Sequence, residues 1–151
     1  MADDRALATP DADALVERAL DLRAQGRNCA QAVACALAPE LGMDAEVARR
    51  CTAGFGGGMA TRTETCGAVS GAVMMLGWLA EADHPDDPRA AKRASSAMVR
   101  AAVERFREAN GTTVCQELKA PGDDAGCVRS CAGCVEDAVR IACDVIVGRE
   151  A

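Results

Sequence analysis

The chain predicts an all-α fold, a compact bundle of about five or six helices packed around a buried central helix. Three observations predict it. Half of the 151 residues are apolar but only 2 % are aromatic, with two Phe, one Trp and no Tyr. A core of Ala, Val, Leu and Met suits closely approaching helices better than packed sheets. Apolar residues recur at helical spacing along most of the chain, and no stretch reads convincingly as a strand. Finally, Thr65 to Ala80 carries no charge, with Glu64 and Glu81 closing its ends. That run falls short of the ~20 residues needed to cross a bilayer, so it reads as a core helix.

The length fits one domain. Residues 1–10 read as a flexible tail ending at Pro10, and 11–151 as a single helical, cysteine-rich domain. Asp11 is placed to cap a first helix with Leu15, Ala19 and Leu22 on one face, and Gln25-Gly26 ends it. Asn28 and Gln31 form a capping-box pattern that puts Cys29 at the first helical position of the next helix. Its core face is Val33, Ala34, Leu37 and Leu41, and Pro39 limits its length. Asp44 to Arg50 is a short helix leading through Cys51 into the glycine loop Gly54-Phe55-Gly56-Gly57-Gly58.

The central helix starts at Cys66 and continues through Gly67 and Gly71, four apart on one face. Such a small face admits another backbone, or a bulky cofactor, at close range. After a polar loop holding His84, read as plain loop, a long helix runs from about Pro88 to Ala109 and stops at Asn110-Gly111. Its buried face is Ala91, Met98, Ala102 and Phe106. Thr113 and Gln116 form a second capping-box pattern around Cys115. Residues 119–130 are a loop, and Ser130 caps a last helix beginning at Cys131, with Val135, Ala138, Val139, Ala142, Val145 and Ile146 as its stripe.

A net charge of −6 and a pI near 4.8 give nucleic acid no electrostatic footprint. The acidic start Met1-Ala2-Asp3-Asp4-Arg5 precedes no apolar run, so neither a signal peptide nor a membrane segment is expected, and a reducing cytoplasm is the default setting. Nine cysteines are then anomalous, since disulfides do not persist there. Four of them, Cys29, Cys66, Cys115 and Cys131, fall at predicted helix starts. Open backbone N–H groups and the helix dipole favour an anion at such a place, which lowers a thiol's pKa and strengthens it as a ligand or nucleophile.

These residues carry a resemblance. The Cys66-Gly67-Ala68-x-x-Gly71 hexad, the glycine loop before it, and Cys29, Cys115 and Cys131 around it resemble the redox-active family named for its C_GCAxxG_C_C pattern. The likeness runs from Asn28-Cys29-Ala30-Gln31-Ala32 to the last helix. It implies a small helical protein with redox or metal chemistry at those four cysteines. Cys35, Cys51, Cys127, Cys134 and Cys143 are additional here, which leaves the fourth ligand open between Cys131 and Cys134.

Three chemistries suit the thiols. Cys29, Cys66, Cys115 and Cys131 could ligate a [2Fe–2S] or [4Fe–4S] cluster, with Gly56, Gly57, Gly58, Gly67 and Gly71 giving it room and N–H groups. Cys131-Ala132-Gly133-Cys134 is a CxxC at a helix start, a setting for dithiol–disulfide chemistry in which Cys66, Cys131 and Cys134 would be the reactive thiols. No βαβ pattern surrounds it, so a thioredoxin-like architecture is not expected. A structural zinc site ranks third, because only one CxxC pair exists. The glycine loop lacks the Lys-Ser/Thr of a phosphate-binding loop. Electron transfer or redox sensing with an unidentified redox partner follows, and a homodimer would shield a cluster.

Overall fold

The computed structural model describes residues 9–119 and 126–149. Among them are eight helices: α1 (Ala12–Ala24), α2 (Cys29–Leu37), α3 (Ala45–Cys51), α4 (Gly56–Met59), α5 (Gly67–Asp83), α6 (Pro88–Asn110), α7 (Cys115–Lys119) and α8 (Cys131–Gly148). Two 3-10 turns, at Ala38–Leu41 and Ala53–Phe55, join them. There is no strand among the described residues, only an isolated antiparallel bridge between Thr65 and Val114. No described helix is long and apolar enough to cross a membrane.

The helix starts form for local reasons visible in the sequence. Asp11 accepts from the Ala14 N–H at 3.1 Å. Asn28 Oδ1 accepts from the Gln31 N–H at 2.9 Å while Gln31 Oε1 accepts from the Asn28 N–H at 3.2 Å, completing the capping box. Asp44, Asp87 and Ser130 cap α3, α6 and α8 through the side-chain acceptor alone. The expected Thr113–Gln116 box does not form. Thr112 Oγ1 accepts from the Val114 N–H instead, and the Gln116 N–H donates to Arg62 O at 2.8 Å. That last bond ties α7 to the segment before α5 rather than capping it in isolation.

α5 packs on α2, α6 and α8, and α1 lies across α2 and α8. Ala91, Met98, Ala102 and Phe106 are all buried on α6, and the expected stripe of α8 is buried throughout. α5 is central but not buried all round. Trp78 is 40 % exposed, its indole N–H donating to Leu41 O at 3.0 Å, so the helix keeps one solvent-facing edge. The loop expected over 119–130 lies partly outside the described residues.

α4 departs most from an ordinary helix. Gly57 and Gly58 have φ of 63° and 59°, and Met59, Ala60 and Arg62 also lie in the left-handed region. Left-handed backbone costs roughly 1–2 kcal/mol at each non-glycine residue, so this short turn stores strain. It reverses the chain and delivers Thr65 and Cys66 beside Val114 and Cys115.

Candidate functional site

Five cysteines from four elements line one cavity of about 280 Å³ at the end of the bundle where α2, α5, α7 and α8 begin. They are Cys29, Cys66, Cys115, Cys131 and Cys134. All five are thiols, with no disulfide among them. The four expected from helix starts are thus brought together, and Cys134 joins them from one turn further along α8.

Each is positioned by identifiable bonds. The α1–α2 connection turns at Gly26, whose φ of +100° requires glycine or strain, and the Arg27 N–H reaches back to Leu22 O at 3.1 Å. The Asn28 cap then sets Cys29. Cys66 occupies the N-cap of α5, and its N–H donates to Thr113 O at 2.7 Å. The Cys115 N–H donates to Glu64 O at 3.0 Å, so the same pair of segments fixes both thiols. Ser130 fixes the start of α8 and hence Cys131 and Cys134.

The thiols are arranged in pairs. Cys29 hydrogen-bonds to Cys131, and Cys66 to Cys134. The hydrogen bond from Cys29 lowers Cys131 to about 5, and Lys119 adds to the effect against burial. The reciprocal bond, with burial, raises Cys29. The Cys134 bond lowers Cys66 to about 7, helped by the amides of Ala68 and Val69 at the open end of α5, which point towards the sulfur without closing a capping bond. Cys134 is raised in turn. Each pair is therefore a thiol donating to a thiolate. Cys115 has no such partner, and burial raises it.

The CxxC thiols do not pair with each other. Three residues apart on α8, Cys131 and Cys134 turn to different partners, one on α2 and the other at the start of α5. Among the described residues, no group of three or more Cys, His, Asp or Glu side chains is set to hold one metal ion.

The expected cofactor-binding glycines divide. Gly57 and Gly67 line the cavity. Gly56, Gly58 and Gly71 are small because protein occupies the space: an added Cβ would meet the Asn28 side chain at 2.5 Å, Cys115 Cβ at 2.7 Å and Ala30 O at 2.5 Å respectively. The small face of α5 at Gly71 thus admits the backbone of α2 and leaves no room there for a cofactor. Cys35 lies buried with its Sγ 3.5 Å from Ala45 O, Cys143 sits in the core where burial pushes it up to about 11, and Cys51 is exposed. None of the three lines the cavity, and neither does Cys127.

Sequence reasoning missed the cations. Arg23, Arg27, Lys119 and Arg129 line the cavity, and no carboxylate does among the described residues. Arg23 hydrogen-bonds to Cys29 and Cys131, and Lys119 to Cys131. Arg129 lies over Gly133, where an added Cβ would be 2.5 Å from its Nε, and makes two 3.0 Å bonds to Asp137. The spacing held one signal: Lys119 stands four residues after Cys115, on the same face of α7.

Residues 27–145 match the family described as "Putative redox-active protein (C_GCAxxG_C_C)". The chain belongs to this family. No curated protein and no solved structure matches it. The match starts at Arg27, just before the Asn28 cap, and ends within α8, so it takes in all five cavity cysteines.

Proposed function

We propose that the cavity is a redox centre in which Cys29, Cys131, Cys66 and Cys134 would hold a [2Fe–2S] cluster. The observation that carries this reading is the pairing. Sulfurs on one tetrahedral metal with bonds of ~2.3 Å stand about 3.8 Å apart, a spacing that suits thiols able to share a hydrogen bond. Two such pairs supply the four thiolates that a two-iron centre takes. The donor set is all sulfur, without histidine, which suits iron–sulfur chemistry. Such a centre supplies one-electron transfer at a potential set by its surroundings.

The chain's own groups have defined tasks in this reading. Cys131, lowered to about 5, presents a thiolate at neutral pH and Cys66, lowered to about 7, is part-ionised there, which favours metal binding. Arg23 and Lys119 offset the negative charge that four thiolates bring into one cavity. The α2 backbone against Gly71 holds the starts of α2 and α5 side by side. Cys115 is the fifth thiol, in the wall and outside both pairs. A reducing cytoplasm, a redox partner and a homodimer that shields the centre are the setting this reading takes.

A second reading is favoured by the thiol–thiolate character of the pairs. Without iron, each pair is set for disulfide formation, in which the two sulfurs join and two electrons and the pair's one proton pass to an acceptor. Iron and acid-labile sulfide, measured on protein purified without oxygen, separate the two. About two irons and two sulfides per chain with a brown visible band support the cluster. Metal-free protein with two reversibly titrating thiol pairs supports disulfide chemistry. Colourless protein with neither overturns both.

A further inference from the structure

The cations around the cavity outnumber the groups that answer them. Arg129 is answered by Asp137, with two bonds of 3.0 Å, and Arg23 and Lys119 reach the Cys131 sulfur. Arg27 has no such partner. Among the described residues no carboxylate pairs with it, and it shares no hydrogen bond with any cavity thiol. It is exposed, it lines the cavity, and Asn28 sets it immediately beside the first turn of α2. A chain of net charge −6 thus keeps four cations, and among the described residues no carboxylate, around this one opening. Asp137 meets Arg129 and the Cys131 sulfur meets Arg23 and Lys119, so among the described residues Arg27 is the cation of the four left to meet an anion from outside.

Backbone groups point the same way. α2 and α8 both start at the cavity; the Asn28 and Ser130 caps take the Gln31 and Gly133 N–H groups, and the N–H groups ahead of them in each first turn have no intrahelical acceptor. At about 280 Å³ the cavity lies at the small end of ligand pockets, which suits a compact molecule rather than a long chain.

We propose that the outer part of this cavity binds a small organic anion carrying one or two carboxylate or phosphate groups, with Arg27 as its principal contact and Lys119 and Arg129 beside it. The inference takes the redox reading of the cavity as its base, since it places the anion next to the thiols and makes it the class of molecule the centre meets. Arginine suits the role because its planar fork matches two oxygens of a carboxylate or phosphate at once.

The test is calorimetric titration of anaerobically purified protein with succinate and, separately, inorganic phosphate, at an ionic strength held constant with potassium chloride. Iron, sulfide and thiol content are measured on the same samples. The expected result is saturable one-site binding of at least one probe. Arg27→Gln weakens it about tenfold or more, as loss of a charged hydrogen bond implies, and Arg27→Lys weakens it less. Preference between succinate and phosphate identifies the anionic group. Absence of saturable heat with both probes, or unchanged affinity in Arg27→Gln, overturns the proposal. Those results leave the metal and thiol contents untouched, so failure of the anion site is distinguishable from failure of the redox centre.

Discussion

Gly71 on α5 faces the carbonyl of Ala30 on α2 so closely that an added Cβ would lie 2.5 Å from the oxygen. The contact is backbone on backbone, so neither partner can rotate away. Gly71→Ala should therefore destabilise the protein at the upper end of the ~1–3 kcal/mol typical of overpacking. Gly77, on the same helix, has only Ser95 Oγ at 3.7 Å. Gly77→Ala should instead gain about 0.5–1 kcal/mol through helix propensity. Urea denaturation of both variants checks the contrast, and equal effects would remove the α2–α5 contact from the account.

The Asn28 side chain serves two elements. It caps α2 and also donates from Nδ2 to Ala53 O at 3.0 Å, holding the approach to the glycine loop. Asn28→Ala should cost ~1–2 kcal/mol, the upper range for a lost cap. Asn28→Asp keeps the capping acceptor and should cost less. Thermal unfolding of the metal-free protein measures both.

Cys131 should be the thiolate that reacts at low pH. In metal-free, reduced protein its alkylation rate, followed by peptide mass spectrometry, should stay nearly level from pH 6 to 8, because the thiol is already ionised above about 5. An ordinary thiol gains about tenfold per pH unit over that range. Lys119→Gln should move the Cys131 midpoint upwards, since Lys119 hydrogen-bonds to its sulfur.

The same values set a direction for stability. Cys131 and Cys66 are lowered from the ordinary 9.0 in the folded chain, so their contribution is complete above pH 9 and drains away as pH falls towards about 7 for Cys66 and about 5 for Cys131. Cys29 and Cys134 are raised, so their contribution is present below pH 9 and is lost as pH rises beyond it. The thiol share of metal-free stability should therefore climb between pH 5 and 9 and fall above that. Chemical denaturation across this range, compared with Cys131→Ser, isolates it.

Much of this was legible in the residues. Caps at Asp11, Asn28, Asp44 and Ser130 are short-range chemistry, and the apolar stripes of α6 and α8 follow from period alone. Helix starts also located four of the five cavity cysteines. What stayed hidden needed the third dimension. No local pattern tells Cys131 to turn to Cys29 and Cys134 to Cys66, because partners on other helices are chosen by packing. The role of Gly71 was open in the sequence between backbone and cofactor, and only the path of α2 past it decides. Arg23, Arg27 and Arg129 look like ordinary surface charges until the helix ends converge.

The most direct test of the central claim is the iron content, after anaerobic purification, of five single variants: Cys29→Ser, Cys66→Ser, Cys131→Ser, Cys134→Ser and Cys115→Ser. The first four should lose most of the iron, because each removes one member of a thiol pair, while Cys115→Ser keeps about the parent level. Iron retained in Cys134→Ser and lost in Cys115→Ser would contradict the pairing. Iron retained in all five would place any metal elsewhere in the protein.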